Sequence, residues 1–142
     1  MVTILLSVLL HIPPSVNDVW QKILEMDIKH PKVVLAQAII ESARFTSPLA
    51  KTCNNLFGMR MPKKRKTLGK KDCSYKRNYA MFASWQQSVE DYKLYQDYIL
   101  RKNTKSMTDD EYLVFISRTY AANPEYVQLI KKTMLKLKKY EN

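Results

Sequence analysis

Apolar residues along this chain return at helical spacing in several stretches and lose that spacing in one. Val16, Val19, Trp20, Ile23 and Leu24 share one helical face, with Ser15 or Asn17 placed to cap its start, which predicts a helix to about Asp27. Pro31 opens the next helix, which ends at Glu41 and has almost no polar face: Val33, Val34, Leu35, Ala36, Ala38, Ile39 and Ile40 surround it, so it should be buried. Thr46-Ser47-Pro48 reads as a third start, with Ser47 as N-cap and Pro48 at the first helical position, where a missing N–H costs nothing. Asn54 to Gly58 closes that short helix, and Gly58 can supply a positive φ or a close backbone approach.

Ser84 caps a helix to about Lys102 that turns Val89, Tyr92, Tyr95, Ile99 and Leu100 towards a core. Thr108-Asp109-Asp110-Glu111 is a capping box with acids at the positive end of the dipole, and Leu113, Phe115, Ile116 and Tyr120 follow it. Pro124 begins the last helix, which runs into Lys131, Lys132, Lys136, Lys138 and Lys139 at the negative end of its dipole. Residues 57–82 break the pattern: both glycines, Gly58 and Gly69, lie there with a proline and a run of basic residues. This segment predicts a small β-containing or irregular lobe, with a hairpin turning near Leu68-Gly69-Lys70 and Ser74 to Ala80 as the returning strand.

At 142 residues the chain is one domain over residues 1–142, large enough for its own core, and its 46% hydrophobic content is ordinary. Twenty-four Lys and Arg against thirteen Asp and Glu give a formal charge of +11, which calls for a polyanionic partner or surface; nucleic acid and an acidic bacterial wall both qualify. Met1 to Leu10 is an apolar run with no preceding basic residue and no clear cleavage site, too short to span a bilayer. Residues 1–14 are then either a signal remnant or a segment packed on the domain. Cys53 and Cys73 can pair, for about 3 kcal/mol in the chain-entropy model, or remain two buried thiols. No metal site and no cofactor is expected: His11 and His30 stand in unrelated contexts, two cysteines twenty positions apart make no zinc pattern, and no phosphate-cradling glycine loop exists.

The candidate chemistry begins at Glu41. A carboxyl group at the end of an apolar helix loses hydration, which disfavours its charged form and raises its pKa towards the range of a proton donor. The plain alternative is a helix end that frays into water.

Three blocks then bear on that choice: Glu41-Ser42 with Thr46-Ser47-Pro48-Leu49-Ala50 and Asn54-Asn55-Leu56-Phe57-Gly58-Met59-Arg60; Tyr79-Ala80-Met81-Phe82 with Ser84-Trp85-Gln86-Gln87-Ser88-Val89-Glu90-Asp91-Tyr92; and Tyr120-Ala121-Ala122-Asn123-Pro124-Glu125-Tyr126. In this order, across roughly residues 30 to 132, they resemble the bacterial endo-β-N-acetylglucosaminidases that include flagellar peptidoglycan hydrolases and autolysins (glycoside hydrolase family 73-like). Members from the Bacteroides group look nearest, from Met59-Arg60-Met61-Pro62 and the Ser84-Trp85 start. One departure is Ala43-Arg44-Phe45, where many members carry a Gly-Trp-Gly-like run.

The resemblance implies a lysozyme-like α+β fold, mostly helical with a small lobe inserted between helices, and cleavage of the β-1,4 bond after N-acetylglucosamine with Glu41 as acid. It places Tyr79 and Tyr120 near the active site, in contact with sugar or with developing charge. Asn54, Asn55 and Arg60 are the substrate-binding candidates, the two asparagines equally able to cap the short helix. Asp72 is the only acidic residue between Glu41 and Glu90, hence the candidate second carboxylate, or else a solvated partner of Lys70 and Lys71. N-acetylated sugars offer a third route, in which the substrate's acetamido oxygen attacks the anomeric carbon. The run Lys63-Lys64-Arg65-Lys66, with Lys70, Lys71, Lys76 and Arg77, either steers the lobe to an anionic wall or is simply solvated.

The expected partners are peptidoglycan glycan strands and the anionic cell wall, with no nucleic acid, no stable membrane insertion and a monomeric protein, acting in the periplasm or outside the cell. Two competing readings are a lytic transglycosylase on the same polymer, whose usual Gly-Leu-Met-Gln-like element is missing, and a non-catalytic basic module binding wall polymer or nucleic acid.

Overall fold

The computed structural model describes residues 12–103, 105–120 and 124–140. Six α-helices are defined among them: α1 (Val16–Glu25), α2 (Pro31–Glu41), α3 (Pro48–Cys53), α4 (Trp85–Leu100), α5 (Asp109–Tyr120) and α6 (Pro124–Leu135), followed by a 3-10 turn (Lys138–Tyr140). Residues 1–11, including the apolar N-terminal run and His11, lie outside the described residues.

The helix starts are chemically local. Ser15 Oγ accepts the Asp18 amide at 3.0 Å while the Asp18 carboxylate accepts the Ser15 amide at 2.9 Å, a reciprocal cap for α1. Ser47 and Ser84 cap α3 and α4 through the Ala50 and Gln87 amides, both at 3.1 Å. At α2 the proline start is preceded by His30 at φ +55°, whose Nδ1 stands 2.7 Å from Asp109 Oδ1 at the mouth of α5 and whose ring stacks on Tyr112.

Helix α2 forms the axis of the domain. Residues 33–39 are all buried, and α1 and α6 pack against it. Burying an aliphatic side chain contributes about 1.5–3 kcal/mol, so this helix is held by its surroundings rather than by an amphipathic stripe. Tyr92, Tyr112, Leu113, Ile116 and Ile130 complete the same core from α4, α5 and α6. The last helix stops at Leu135 instead of running through the lysines, because Leu137 and Tyr140 turn inward and the Tyr140 ring meets Trp20 with centroids 5.4 Å apart.

The small lobe differs from the expected hairpin. Among the described residues it contains two isolated antiparallel bridges, Arg60 with Tyr79 and Lys70 with Met81. The 79–82 segment therefore lies between two partners, and Ser74 to Asn78 forms turns rather than a strand. Side chains substitute for a ladder. Both Nδ2 hydrogens of buried Asn55 go to the carbonyls of Met59 and Ala80, and its Oδ1 accepts the Met59 amide. Cys53 and Cys73 form a disulfide with Cα atoms 5.7 Å apart. Asp91 on α4 is completely buried and accepts from both Arg65 nitrogens, from Thr67 Oγ1 and from the Leu68 amide. Among the described residues no helix is long and apolar enough to cross a membrane.

Candidate active site

Glu41 is the last residue of α2, and the chain leaves it through an unusual turn. Ala43, Arg44 and Phe45 have φ of +47°, +52° and +68°, a left-handed run of three non-glycine residues. Ser42 makes the turn possible: its Oγ donates to the Ala38 carbonyl and accepts the Phe45 amide at 2.8 Å, while its carbonyl accepts the Thr46 and Ser47 amides. Phe45 is thereby driven into the core, and α3 starts immediately afterwards. The position where many glucosaminidases carry a Gly-Trp-Gly-like run thus requires the backbone shape that glycine adopts most readily.

The Glu41 side chain is half-buried. Burial raises its pKa above the ordinary 4.5, and a hydrogen bond from the Tyr126 hydroxyl partly opposes that rise; burial is the larger effect. Loss of hydration penalises the anion, while a donor aimed at the anion supports it, so the result is a carboxyl that keeps its proton to higher pH yet stays oriented. Burial also pushes the Tyr126 phenol up, and the adjoining Glu41 reinforces this, so Tyr126 acts as a neutral donor.

Gly58 closes the other side. Its φ is +62°, and a β-carbon built there would stand 3.1 Å from Glu41 Oε2. From Gly58 an open cavity of about 440 Å³ extends between the 58–65 loop and helices α4 and α5, with Met61, Tyr95, Tyr98 and Ile99 supplying apolar surface and Arg60 and Lys63 supplying charge. Flat apolar faces edged by hydrogen-bonding groups suit a sugar ring.

The structure places the candidate residues unequally around this point. Arg60 is exposed at the cavity, bridged to Tyr79, with its guanidinium 5.5 Å from the Tyr79 ring centroid; Lys76 Nζ lies 5.4 Å from the same ring. Asn54 is the left-handed C-cap of α3, φ +52°, and its Nδ2 donates to the Phe82 carbonyl. Asn55 is enclosed, with its amide spent on backbone. Asp72 is exposed on the turn before Cys73, at φ +81°. Tyr120 ends α5, but its side chain lies outside the described residues, as do Ala121 to Asn123. Arg65 is withdrawn from the basic run by its ion pair with Asp91. The residue that sequence reasoning missed is Tyr126. It stands in the Tyr120–Tyr126 block, and its place two positions after the Pro124 helix start was the available signal.

The family described as mannosyl-glycoprotein endo-beta-N-acetylglucosaminidase (glucosaminidase) matches residues 17–139. Among solved structures, the catalytic domain of the autolysin Auto from Listeria monocytogenes is similar at a TM-score of 0.64 and 21% identity, over 94% of this chain and 92% of that one. A C-terminally truncated glycoside hydrolase domain of FlgJ from Salmonella typhimurium gives 0.59 and 16%, over 89% and 97%. A chain of a type VI secretion system effector-immunity complex from Pseudomonas protegens gives 0.57 and 17%, over 84% and 91%. At these identities the likeness is one of fold. The search of curated protein sequences returned no match.

Proposed function

This chain belongs to the glucosaminidase family, and from that premise we propose that it is a peptidoglycan hydrolase cleaving the β-1,4 bond after N-acetylglucosamine, with Glu41 as the general acid. The observation that carries the assignment is the setting of Glu41: a half-buried carboxyl whose pKa burial raises, braced by Tyr126 and packed against Gly58, which lines an open cavity. The folds of the autolysin catalytic domain and the FlgJ glycoside hydrolase domain support the substrate class by analogy.

In the reaction, Glu41 gives its proton to the glycosidic oxygen as the bond from that oxygen to the anomeric carbon breaks. The acetamido oxygen of the same N-acetylglucosamine bonds to the anomeric carbon and carries the positive charge as a cyclic intermediate. Water then attacks the anomeric carbon, returns a proton to Glu41 and reopens the ring, leaving a reducing end. Asp72 is not needed in this scheme, and its exposed position fits a solvated partner of Lys70 and Lys71 better than a nucleophile. Arg60, Tyr79 and Asn54 are read as sugar-side contacts, and Tyr120 keeps the role the family resemblance gave it. Residues 1–142 are read as a single catalytic domain working outside the cytoplasm, where its substrate is, and as a monomer; nearness to Bacteroides-group members rests on Met59-Arg60-Met61-Pro62.

Purified protein should release new reducing ends from isolated cell walls, with N-acetylglucosamine at the exposed terminus by mass spectrometry. Anhydro-terminated fragments in their place would make the protein a lytic transglycosylase. No release at all, with intact folding, would reduce it to a binding module.

A further inference from the structure

We propose that Gln37, Tyr92, Tyr112 and Gln96 form an oriented hydrogen-bond chain that holds the Tyr126 hydroxyl as a donor to the Glu41 carboxylate, which makes these four buried side chains positioning residues for the acid. The proposal rests on Glu41 as proton donor.

The direction of the chain follows from its far end. The backbone N–H of Lys29 can only donate, and it does so to Gln96 Oε1 at 2.7 Å. That leaves Gln96 Nε2 as the donating end, to the Lys29 carbonyl at 2.8 Å and to Tyr112 Oη at 2.9 Å. Tyr112 Oη accepts that bond and lies 2.9 Å from Tyr92 Oη, and because Tyr92 gives its single proton to Gln37, the proton between the two phenols is that of Tyr112. Tyr92 in turn donates to Gln37 Oε1 at 2.6 Å. With its oxygen occupied, Gln37 presents Nε2 to Tyr126 Oη at 3.1 Å. The Tyr126 hydroxyl therefore accepts from Gln37, and its single proton is left for Glu41.

The two fixed points, Lys29 N–H into Gln96 Oε1 and the Tyr92 proton into Gln37 Oε1, give the links between them one consistent direction. Gln37, Tyr92, Tyr112 and Gln96 are all fully buried, so water does not offer substitute partners. Without this ordering, the Gln37 amide could turn end for end and draw the Tyr126 proton to itself, leaving the Glu41 anion without its donor. The chain thus connects the Lys29 backbone, between α1 and α2, to the end of α2 through α4, α5 and α6.

The ionisable groups acting on this corner come from several elements. Tyr126 of α6 faces Glu41 directly, and Tyr95 of α4 acts on Tyr126. Arg65 of the lobe acts on Tyr95 and is itself paired with Asp91 of α4. Tyr112 of α5 lies next to Tyr95 and within the chain, with His30 stacked on it and bound to Asp109. Of these groups the substitutions below remove only the Tyr112 phenol, which burial keeps neutral.

The experiment follows the side-chain carboxyl 13C signal of Glu41 through a pH titration of the full chain, in wild type, Tyr92→Phe and Tyr112→Phe, beside the pH dependence of wall lysis. Both variants keep the ring and remove one hydroxyl. In Tyr92→Phe the Glu41 midpoint should move to higher pH, and the alkaline limb of the lysis profile should move with it, with kcat changed more than KM. Tyr112→Phe, one link further away, should shift both in the same direction by less. A general loosening of the core would lower activity at every pH without this graded displacement. If Tyr92→Phe does not fold, Gln37→Met serves the same readout. Unchanged Glu41 midpoints in folded variants overturn the proposal. Activity retained by Glu41→Gln would instead overturn the catalytic reading, while leaving the titration shifts to be judged separately.

Discussion

The backbone of Gly58 lies against the carboxylate of Glu41 so closely that a single added methyl carbon would stand 3.1 Å from Oε2. The same residue has φ +62°, so an L side chain there is strained as well as crowded. Gly58→Ala should cost about 1 kcal/mol in stability from the backbone alone. Displacement of the acid should cost more in rate, on the order of a hundredfold for a shift approaching 1 Å. Thermal melting and wall-lysis rates measured on the same preparation separate the two effects; equal activity in a folded variant would mean that the carboxylate tolerates being pushed.

Glu41→Gln removes the proton but nearly keeps the shape. Activity should fall by at least the ~10²–10⁴-fold that a positioned acid contributes. Stability should move the other way, and the sign follows from linkage. Because burial raises the Glu41 pKa above 4.5, the unfolded chain releases this proton first as pH rises, and folding stability then falls until the folded carboxyl also ionises. Glutamine has no such window. The variant should match wild type in acid and become relatively more stable above about pH 4.5, the ordinary value. Urea denaturation at a series of pH values tests this, and a wild type that gains on the variant as pH rises would contradict the burial argument.

The left-handed turn after Glu41 carries strain that can be relieved. Ala43 is exposed at φ +47°, so Ala43→Gly loses no packing and gains a residue suited to that conformation. A gain of about 0.5–1 kcal/mol is expected, reduced somewhat by the greater freedom of glycine in the unfolded chain. Chemical denaturation measures it. Catalysis should be unaffected if Ser42 alone sets the path from Glu41; a fall in rate would show that a stiff turn is needed to hold the acid.

What could be read from the sequence divides along the range of the interactions. Ser15, Ser47 with Pro48, and Ser84 announce their helices because a cap acts within three residues. Pro31 to Glu41 shows as buried from its uniform apolarity, and the resemblance to glucosaminidases singled out its glutamate. Residues 57–82 show in the sequence as a small irregular or β-containing lobe, but the hairpin expected within it gives way to isolated bridges because what holds the lobe is distant in sequence: Asn55 reaches Ala80, and Asp91 reaches back to Arg65 and Thr67. The run Lys63-Lys64-Arg65-Lys66 gave no sign that its third residue is an internal ion-pair partner. Tyr126 was hidden for a similar reason. With nine tyrosines in the chain, which hydroxyl meets Glu41 depends on how α6 lies on α2.

Asp91 shows how much rests on one such distant contact. Its side chain is fully buried, that of Arg65 is 6% exposed, and the pair closes at 2.8 Å. Removing one partner from a buried pair leaves the other charge uncompensated, which typically costs about 3–5 kcal/mol. Asp91→Asn should lie at the lower end, because its remaining oxygen can still accept from Thr67 or the Leu68 amide. Hydrogen exchange should show the Leu68 amide losing protection more than the α2 core. Since residues 58–65 wall the cavity, KM for wall fragments should rise in whatever protein remains folded.

Asp72 decides between two chemistries with one substitution. It is the only acidic residue between Glu41 and Glu90, so a protein nucleophile supplied from the lobe would have to be this carboxylate. Asparagine tolerates the left-handed backbone, so Asp72→Asn at φ +81° changes charge with little conformational cost. Its exposure means that no packing is lost either. If the acetamido group of the substrate supplies the attacking oxygen, the variant should keep its rate within about twofold, since it touches no transition-state interaction. A protein nucleophile would instead show a loss on the order of 10³-fold or more. The complementary measurement alters the substrate: glycan strands whose N-acetylglucosamine has been deacetylated lack the attacking oxygen and should resist cleavage even by wild type. Full cleavage of that deacetylated polymer, together with an inactive Asp72→Asn, would return the second catalytic role to the protein.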